Sequence, residues 1–175
     1  MPRNIEIKAR IDDVERALQR ARNVAGEAPT LLLQDDTFFN CANGRLKLRI
    51  LSDSAGELIF YQRPDTSKPR ASDYTVVPTA HPRLLLTALT RVIGVRGRVR
   101  KRRWLFAAGR TRIHVDEVEG LGPFLELEVV LCDDDRLGDG IAEARRLMRE
   151  LGVPEDTLVG GAYVDLLPTR EGHAG

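Results

Sequence analysis

The stretch Thr111-Arg112-Ile113-His114-Val115-Asp116-Glu117-Val118-Glu119-Gly120-Leu121-Gly122-Pro123-Phe124-Leu125-Glu126-Leu127-Glu128-Val129-Val130-Leu131 decides how the whole chain of 175 residues is read. Over 111–118 the polar Arg112, His114 and Asp116 alternate with Ile113 and Val115. Over 124–131 Glu126 and Glu128 alternate with Leu125, Leu127 and Val129. A period of two marks a strand with one apolar and one polar face. The segment 120–123, with two glycines and a proline, is a turn, and strands joined by so short a connection pair antiparallel.

The same pattern extends outward in both directions. Residues 98–107 form the preceding strand, with Lys101 and Arg103 on one face and the Gly109-Arg110 turn after it. At the N-terminus, 4–11 alternates Asn4, Glu6, Lys8 and Arg10 with Ile5, Ile7, Ala9 and Ile11. Asp12 and Asp13 then cap a helix that runs to about Ala25, with Val14, Ala17, Leu18, Ala21 and Val24 at helical spacing and Gly26 and Pro29 closing it. Further strands are predicted at 33–40, 45–51, 58–63 and 74–77, with an Asn43-Gly44 turn, a turn at 53–56 and a polar loop at 65–70. Helices are predicted at 82–93 and 140–151. About eight strands, mostly joined by short turns, with three helices outside them, predict an α+β fold. The expected architecture is a closed or nearly closed eight-stranded antiparallel β-barrel with flanking helices. An open, highly curved sheet gives the same pattern. The expected organisation is one domain over 1–169, with a frayed tail at 170–175.

Charge is sorted along these strands. Arg45, Lys47 and Arg49 share a face, as do Lys101 and Arg103; Tyr61 and Arg63 point together. Carboxylates fall instead on the first, seventh and eighth strands, at Glu6, Asp116, Glu126 and Glu128. A sheet face turned to water also alternates, but solvation gives no reason to sort signs by strand, and the three helices can cover the apolar faces. The polar face is therefore expected inside the barrel. Clustered Lys and Arg neutralise a triphosphate, with arginine forks on its phosphate oxygens. Neighbouring carboxylates suit Mg²⁺, which takes one or two of them together with water and phosphate oxygens. Glu126 and Glu128 can share such an ion with Glu6 or Asp116.

Composition sets the outer limits. Of the residues, 42% are hydrophobic and 30% charged, as in a globular protein, and 27 basic against 26 acidic residues leave a net charge of +1. That balance argues against a general polyanion binder. The basic run Arg96, Arg98, Arg100 and Arg102 is read as solvent-facing, so a nucleic-acid partner is not expected. Cys41 and Cys132 are too few for a disulfide framework and lie in no metal-ligand pair. The first dozen residues are charged from Arg3 onward and do not read as a signal peptide. No apolar run approaches the roughly 18 residues of a membrane span. No membrane partner is expected, and the cytoplasm is the default location.

These motifs resemble, in order, those of the CYTH superfamily, the triphosphate tunnel enzymes. Asn4-Ile5-Glu6-Ile7-Lys8 resembles its N-terminal E-x-E-x-K motif, and Gly44 to Arg49 its cationic third strand. Phe60-Tyr61-Gln62-Arg63-Pro64 and Ser72-Asp73-Tyr74 resemble class IV adenylyl cyclase-like members. Residues 99–103 fit the later V-x-K-x-R pattern, and 112–128 resemble the C-terminal half. Gly161-Ala162-Tyr163-Val164-Asp165-Leu166-Leu167 is similar to the closing segment of cyclase-like members. The resemblance implies a tunnel barrel, Mg²⁺ or Mn²⁺, and a triphosphate-bearing small molecule as substrate. The activity it implies is conversion of ATP to cyclic AMP and pyrophosphate; the alternative is hydrolysis of thiamine triphosphate or inorganic tripolyphosphate. A module that binds triphosphate without turning it over is the alternative of another class. The resemblance leaves room for a homodimer.

The expected catalytic phosphate ligands are Lys8, Lys47, Arg49, Arg63, Lys101 and Arg103. Arg45, Tyr61, Arg112 and His114 are the expected substrate-binding residues, and Glu6, Asp116, Glu126 and Glu128 the expected metal ligands. Tyr163 is read as closing the barrel. One departure stands out: the first glutamate of the N-terminal motif is Asn4 here, which keeps an oxygen ligand and loses a charge.

Overall fold

The computed structural model of the chain describes residues 3–168; the expected tail at 170–175 lies outside them. Eight strands run β1 (Arg3–Arg10), β2 (Thr30–Phe39), β3 (Arg45–Ser52), β4 (Ala55–Gln62), β5 (Arg70–Thr79), β6 (Val95–Ala108), β7 (Thr111–Val118) and β8 (Gly122–Leu131). They close into a barrel in the order β1-β5-β4-β3-β2-β6-β7-β8, every neighbouring pair antiparallel. Closure leaves no edge strand.

Helices α1 (Val14–Ala25), α2 (Pro82–Ile93) and α3 (Leu137–Leu151) lie outside. Asp13 caps α1 by accepting from the Arg16 amide at 2.9 Å, and Gly26, at φ 75°, ends it. Pro82 opens α2, where its missing N–H costs nothing. Sequence reading placed neither the turn of 3₁₀ helix at Glu155–Thr157 nor the four-residue α4 (Tyr163–Leu166). Other boundaries moved too: β2 starts at Thr30, β5 at Arg70 inside the expected polar loop, β6 at Val95 and α3 at Leu137.

The main apolar core lies between barrel and helices rather than within the barrel. Ile5, Ile7, Phe106, Ile113, Leu125 and Leu127 face outward and pack under Ala17 and Ala21 of α1 and Ala144, Leu147 and Met148 of α3. Each large aliphatic side chain buried this way contributes about 1.5–3 kcal/mol. Helix α2 covers β2, β3 and β4. Because the strand period is two, burying the odd positions of β1, β7 and β8 outward turns Asn4, Glu6, Lys8, Arg112, His114, Asp116, Glu126 and Glu128 inward.

A second apolar cluster, built on Phe38, Val99, Val118, Phe124, Tyr163 and Val164, closes one end of the barrel. Helix α4 packs there against β6, where Val164 Cγ2 lies 2.7 Å from the position a Cβ on Gly97 would take. A side chain at Gly97 forces the Val164 side chain to shift.

Candidate active site

The barrel encloses a cavity of about 350 Å³. Asp116 is wholly inaccessible, whereas Val76 is 41% exposed. Ala162 and Tyr163 of the closing segment bound the cavity on one side, and the exposed Val76 of β5 bounds it on another.

Its wall is a ladder of ion pairs. Lys47 donates to Asp36 at 2.8 Å, and Arg49 forks onto both oxygens of the same carboxylate, each at 2.8 Å. At the closed end Asp116 accepts from Lys101 at 3.0 Å, from Arg103 at 2.7 and 2.6 Å, and from the Tyr163 hydroxyl at 2.9 Å. Arg103 continues to Glu126 at 2.5 Å, which also faces Lys8 at 3.5 Å. Arg63 meets Glu6 at 3.1 Å, and Arg112 meets Glu128 at 2.9 Å.

The closing segment joins this ladder. The carbonyl of Gly161 accepts from Lys8 at 2.9 Å and from Arg63 at 3.0 Å, while the Tyr163 ring lies beneath the Lys8 ammonium at 4.0 Å and that of Lys101 at 4.7 Å.

Burial sets the protonation behaviour of these groups. It pulls Lys8 down to about 8, with Arg63 and Lys101 adding to the effect and Glu126 opposing it. Burial likewise pulls Lys47 down to about 8 despite Asp36. Burial resists ionisation of Asp36, but Lys47 and Arg49 overcome it and hold the carboxyl far below its ordinary range. Glu126 is held low in the same way by Arg103 and Lys8. Glu6 goes the other way: burial raises it, Glu128 and Glu126 add to the rise, and Arg63 opposes it. His114 is pushed down by burial and by Arg103, which favours the neutral imidazole.

The structure gathers twelve of the sequence-predicted site residues on this one cavity: Glu6, Lys8, Lys47, Arg49, Tyr61, Arg63, Lys101, Arg103, Arg112, His114, Glu126 and Glu128. Asp116 lies behind the lining, with all its contacts to protein cations and Tyr163, and functions there as an anchor for Lys101 and Arg103. Arg45 is also outside the lining; it binds Asp65 and Asp165 at 2.6 Å each, and Asp165 in turn holds Arg96 at 2.5 Å.

Asp36, Glu57 and Gln34 also line the cavity and were missed. The signal for Asp36 was weak because Asp35 stands beside it, and the sequence 31–36 does not alternate. On the outside, Arg98, Arg100 and Arg102 of the basic run pair with Asp35, Glu119 and Glu117, so the run forms no bare cationic stripe.

The residues present fit a divalent cation. Glu6 and Glu128 are direct cross-strand partners on one face, each paired with an arginine, Arg63 and Arg112 respectively; a cation between them would further relieve the repulsion of the like charges. One ligand atom from each of His114, Glu126 and Glu128 lies within 4.8 Å of the others. Asn4 Oδ1 and His114 Nδ1, both buried, have no hydrogen-bond partner among the described residues. An unpartnered amide oxygen and an unpartnered imidazole nitrogen beside three carboxylates make a set of oxygen and imidazole ligands.

The CYTH domain profile matches residues 2–163, nearly the whole chain. The chain belongs to the CYTH domain family. Its relatives include a candidate adenylate cyclase from Methanocaldococcus jannaschii, 22% identical, covering 93% of this chain and 97% of that one. Adenylate cyclase CyaB from Aeromonas hydrophila is 26% identical over 91% of this chain and 85% of its own. Among solved structures, the PH1012 protein from Pyrococcus horikoshii shares this CYTH fold with a TM-score of 0.81 at 21% identity, covering 94% of this chain and 99% of the other. Among the described residues of this CYTH domain, no helix is long and apolar enough to cross a membrane.

Proposed function

We propose that the chain is a metal-dependent enzyme acting on a triphosphate, converting ATP to cyclic AMP and pyrophosphate in the manner of class IV adenylyl cyclases. The observation that carries this reading is the pair of opposed walls inside the barrel. Strand β3, with Lys47 and Arg49, stands four places from β8, with Glu126 and Glu128, in a ring of eight strands. A chain of phosphates lying between them meets cations on one side and metal ligands on the other.

Lys8, Lys47, Arg49, Arg63, Lys101 and Arg103 hold phosphate oxygens. Asp116 fixes Lys101 and Arg103 before substrate arrives, so little reorganisation is left for the reaction. Glu6, Glu126 and Glu128, with Asn4 Oδ1 and His114, would hold Mg²⁺ or Mn²⁺, which when bound supplies charge neutralisation and orients phosphate oxygens. The cation is needed because the lining is nearly balanced: seven Lys and Arg side chains face five carboxylates. An excess of two positive charges does not neutralise a triphosphate. In cyclisation the ribose 3′-hydroxyl attacks the α-phosphorus and pyrophosphate leaves; the closed end excludes water from one side of that exchange.

A second reading is triphosphate hydrolysis. A Hippeastrum protein of the same fold, 14% identical with a TM-score of 0.61, is described as a candidate adenylyl cyclase with a dominant triphosphatase activity. The same cradle serves attack by water on the terminal phosphorus. A binding-only module is the third reading, supported by the charge lost at Asn4.

One incubation separates the three. Purified protein with Mg²⁺ or Mn²⁺ is given ATP, thiamine triphosphate or tripolyphosphate in turn, and cyclic AMP, pyrophosphate and orthophosphate are quantified. Cyclic AMP with pyrophosphate is the expected result; orthophosphate marks hydrolysis. Micromolar binding without turnover of any substrate rejects an enzyme.

The reading also has a pH consequence. In the free protein Lys8 and Lys47 lose their protons near pH 8. A bound polyanion favours the ammonium forms and raises both values, so binding takes up protons above about pH 8, and affinity weakens as pH rises further. Calorimetry at pH 8.5 in buffers of different ionisation enthalpy is expected to show net proton uptake; proton release contradicts the assignment.

A further inference from the structure

The segment 158–167 is anchored at two places, with a pair of glycines between them. Upstream it is tied to β1: the Val159 amide donates to the Lys8 carbonyl at 2.8 Å, and Leu158 bridges to Ala9. Downstream α4 is fixed by Asp165. One oxygen of that carboxylate accepts from Arg45 Nε at 3.0 Å, from Arg45 Nη2 at 2.6 Å and from the Ala162 amide at 2.9 Å. The other accepts from Arg96 at 2.5 Å. Arg45, Arg96 and Asp165 all lie outside the cavity lining.

Between the anchors, Gly161 sits at φ 74°, where an L side chain is strained. Its carbonyl accepts from two cations of the cavity, Lys8 at 2.9 Å and Arg63 Nη2 at 3.0 Å. It is a closer partner than the carboxylate of either: Glu126 is 3.5 Å from Lys8, and Glu6 is 3.1 Å from Arg63. A neutral oxygen thus fixes the direction of both side chains without cancelling their charge. Arg63 uses Nη2 in this way, while its Nε is buried with no hydrogen-bond partner among the described residues. A long side chain that is ordered beforehand loses less entropy on binding than one that the ligand must order.

We infer that Asp165 is a positioning residue for the cavity. By latching α4 from outside the barrel it sets the Gly161 carbonyl, and through that carbonyl it orients Lys8 and Arg63 for an incoming polyanion. The docking of α4 and the binding of a triphosphate are therefore coupled, and the coupling is reciprocal: each strengthens the other by the same factor. Arg45, on the inward face of β3 yet away from the cavity, has its use here as the main partner of the latch.

This inference rests on the triphosphate reading of the cavity, and the test keeps the two apart. The probe is inorganic tripolyphosphate with Mg²⁺, titrated calorimetrically into the full chain. Asp165→Ala is expected to weaken binding about tenfold, the loss of pre-ordering at two cations. Asp165→Asn keeps an oxygen for the Ala162 amide and loses the charge; it is the second variant should the alanine change unfold the chain, and a smaller loss is expected. Thermal unfolding confirms that each variant is folded. The control is Asp65→Ala, which removes the exposed second carboxylate on Arg45 and leaves the latch in place; its affinity is expected to match that of the unaltered protein. Hydrogen exchange supplies a readout that a purely structural role would not move. The Asp165 and Leu167 amides, bonded within α4 to the Ala162 and Tyr163 carbonyls, are expected to exchange about tenfold more slowly when tripolyphosphate is bound. Unaltered affinity in a folded Asp165 variant, or an equal loss in Asp65→Ala, overturns the latch. Exchange in α4 that is unchanged or faster on binding overturns the coupling and leaves the cradle standing. Failure of the unaltered protein to bind tripolyphosphate defeats the triphosphate reading itself.

Discussion

Asp116→Ala is expected to lower the unfolding free energy by about 3–5 kcal/mol, and the melting temperature by roughly 10 °C. Asp116 is wholly buried and carries Lys101, both donating nitrogens of Arg103 and the Tyr163 hydroxyl. Removing it takes from Lys101 its carboxylate partner and leaves Arg103 with Glu126 alone, so the cost is that of under-compensated buried charge as well as of lost contacts. The tyrosine that anchors the closing segment loses its acceptor at the same time, so the blind end of the barrel opens. Urea denaturation monitored by circular dichroism measures the change. A loss below about 1 kcal/mol means that Lys101 and Arg103 find other partners, and the floor of the cavity is then less rigid than its geometry implies.

Lys47→Ala is expected to weaken triphosphate binding by about 10- to 100-fold, the loss of one charge-assisted contact to phosphate in a partly desolvated site. The fold tolerates the change, because Asp36 keeps the two-pronged bond of Arg49. Lys47→Arg restores the charge and recovers part of the affinity. The control is Arg98→Ala on the outer face of β6, whose partner is Asp35 and whose side chain is 59% exposed; its affinity is expected to match that of the unaltered protein. Calorimetric titration reads all three. Equal affinity in Lys47→Ala and the unaltered protein removes β3 from the site.

How much of this was legible in the sequence depended on the strand. On β1, β3, β7 and β8 the charged positions alternate with apolar ones, so each charged inward residue was assigned its face before any geometry was known, although Val118 and Phe124, apolar at inward positions, were not. Across these strands sorting by sign could be seen, and the closed barrel brought Glu6, Lys47, Glu126 and Glu128 onto one cavity as expected. On β2 the pattern fails. Leu31 and Leu33 point outward and remain 53% and 76% exposed, while Leu32 points inward. Three consecutive leucines carry no face information, and the adjacent Asp35 and Asp36 hide which of them enters the barrel. Asp36, which organises Lys47 and Arg49, was lost for that reason.

The edges of β5 were illegible for another cause. Asp65 to Pro69 reads as a loop by composition, but pairing of β5 with β1 from Arg70 onward is a long-range contact with no local signature. Helix α4 is four residues long, too short to show a helical period. Arg45 shows the limit of face assignment. It shares the parity of Lys47 and Arg49, yet at the strand's end it meets Asp65 and Asp165 rather than the cavity. Parity sets the face; position along the barrel axis, which follows from the register of all eight strands, decides whether a side chain reaches the site.

The most direct test of the account is a crystal structure of the protein with Mg²⁺ and a non-hydrolysable ATP analogue. The account predicts the phosphates inside the barrel, within hydrogen-bonding distance of Lys47, Arg49, Lys101 and Arg103, with a metal ion among Glu6, Glu126 and Glu128. Phosphates bound on the outer surface, or a barrel interior that keeps its ion pairs intact and empty of ligand at saturating analogue, would contradict it.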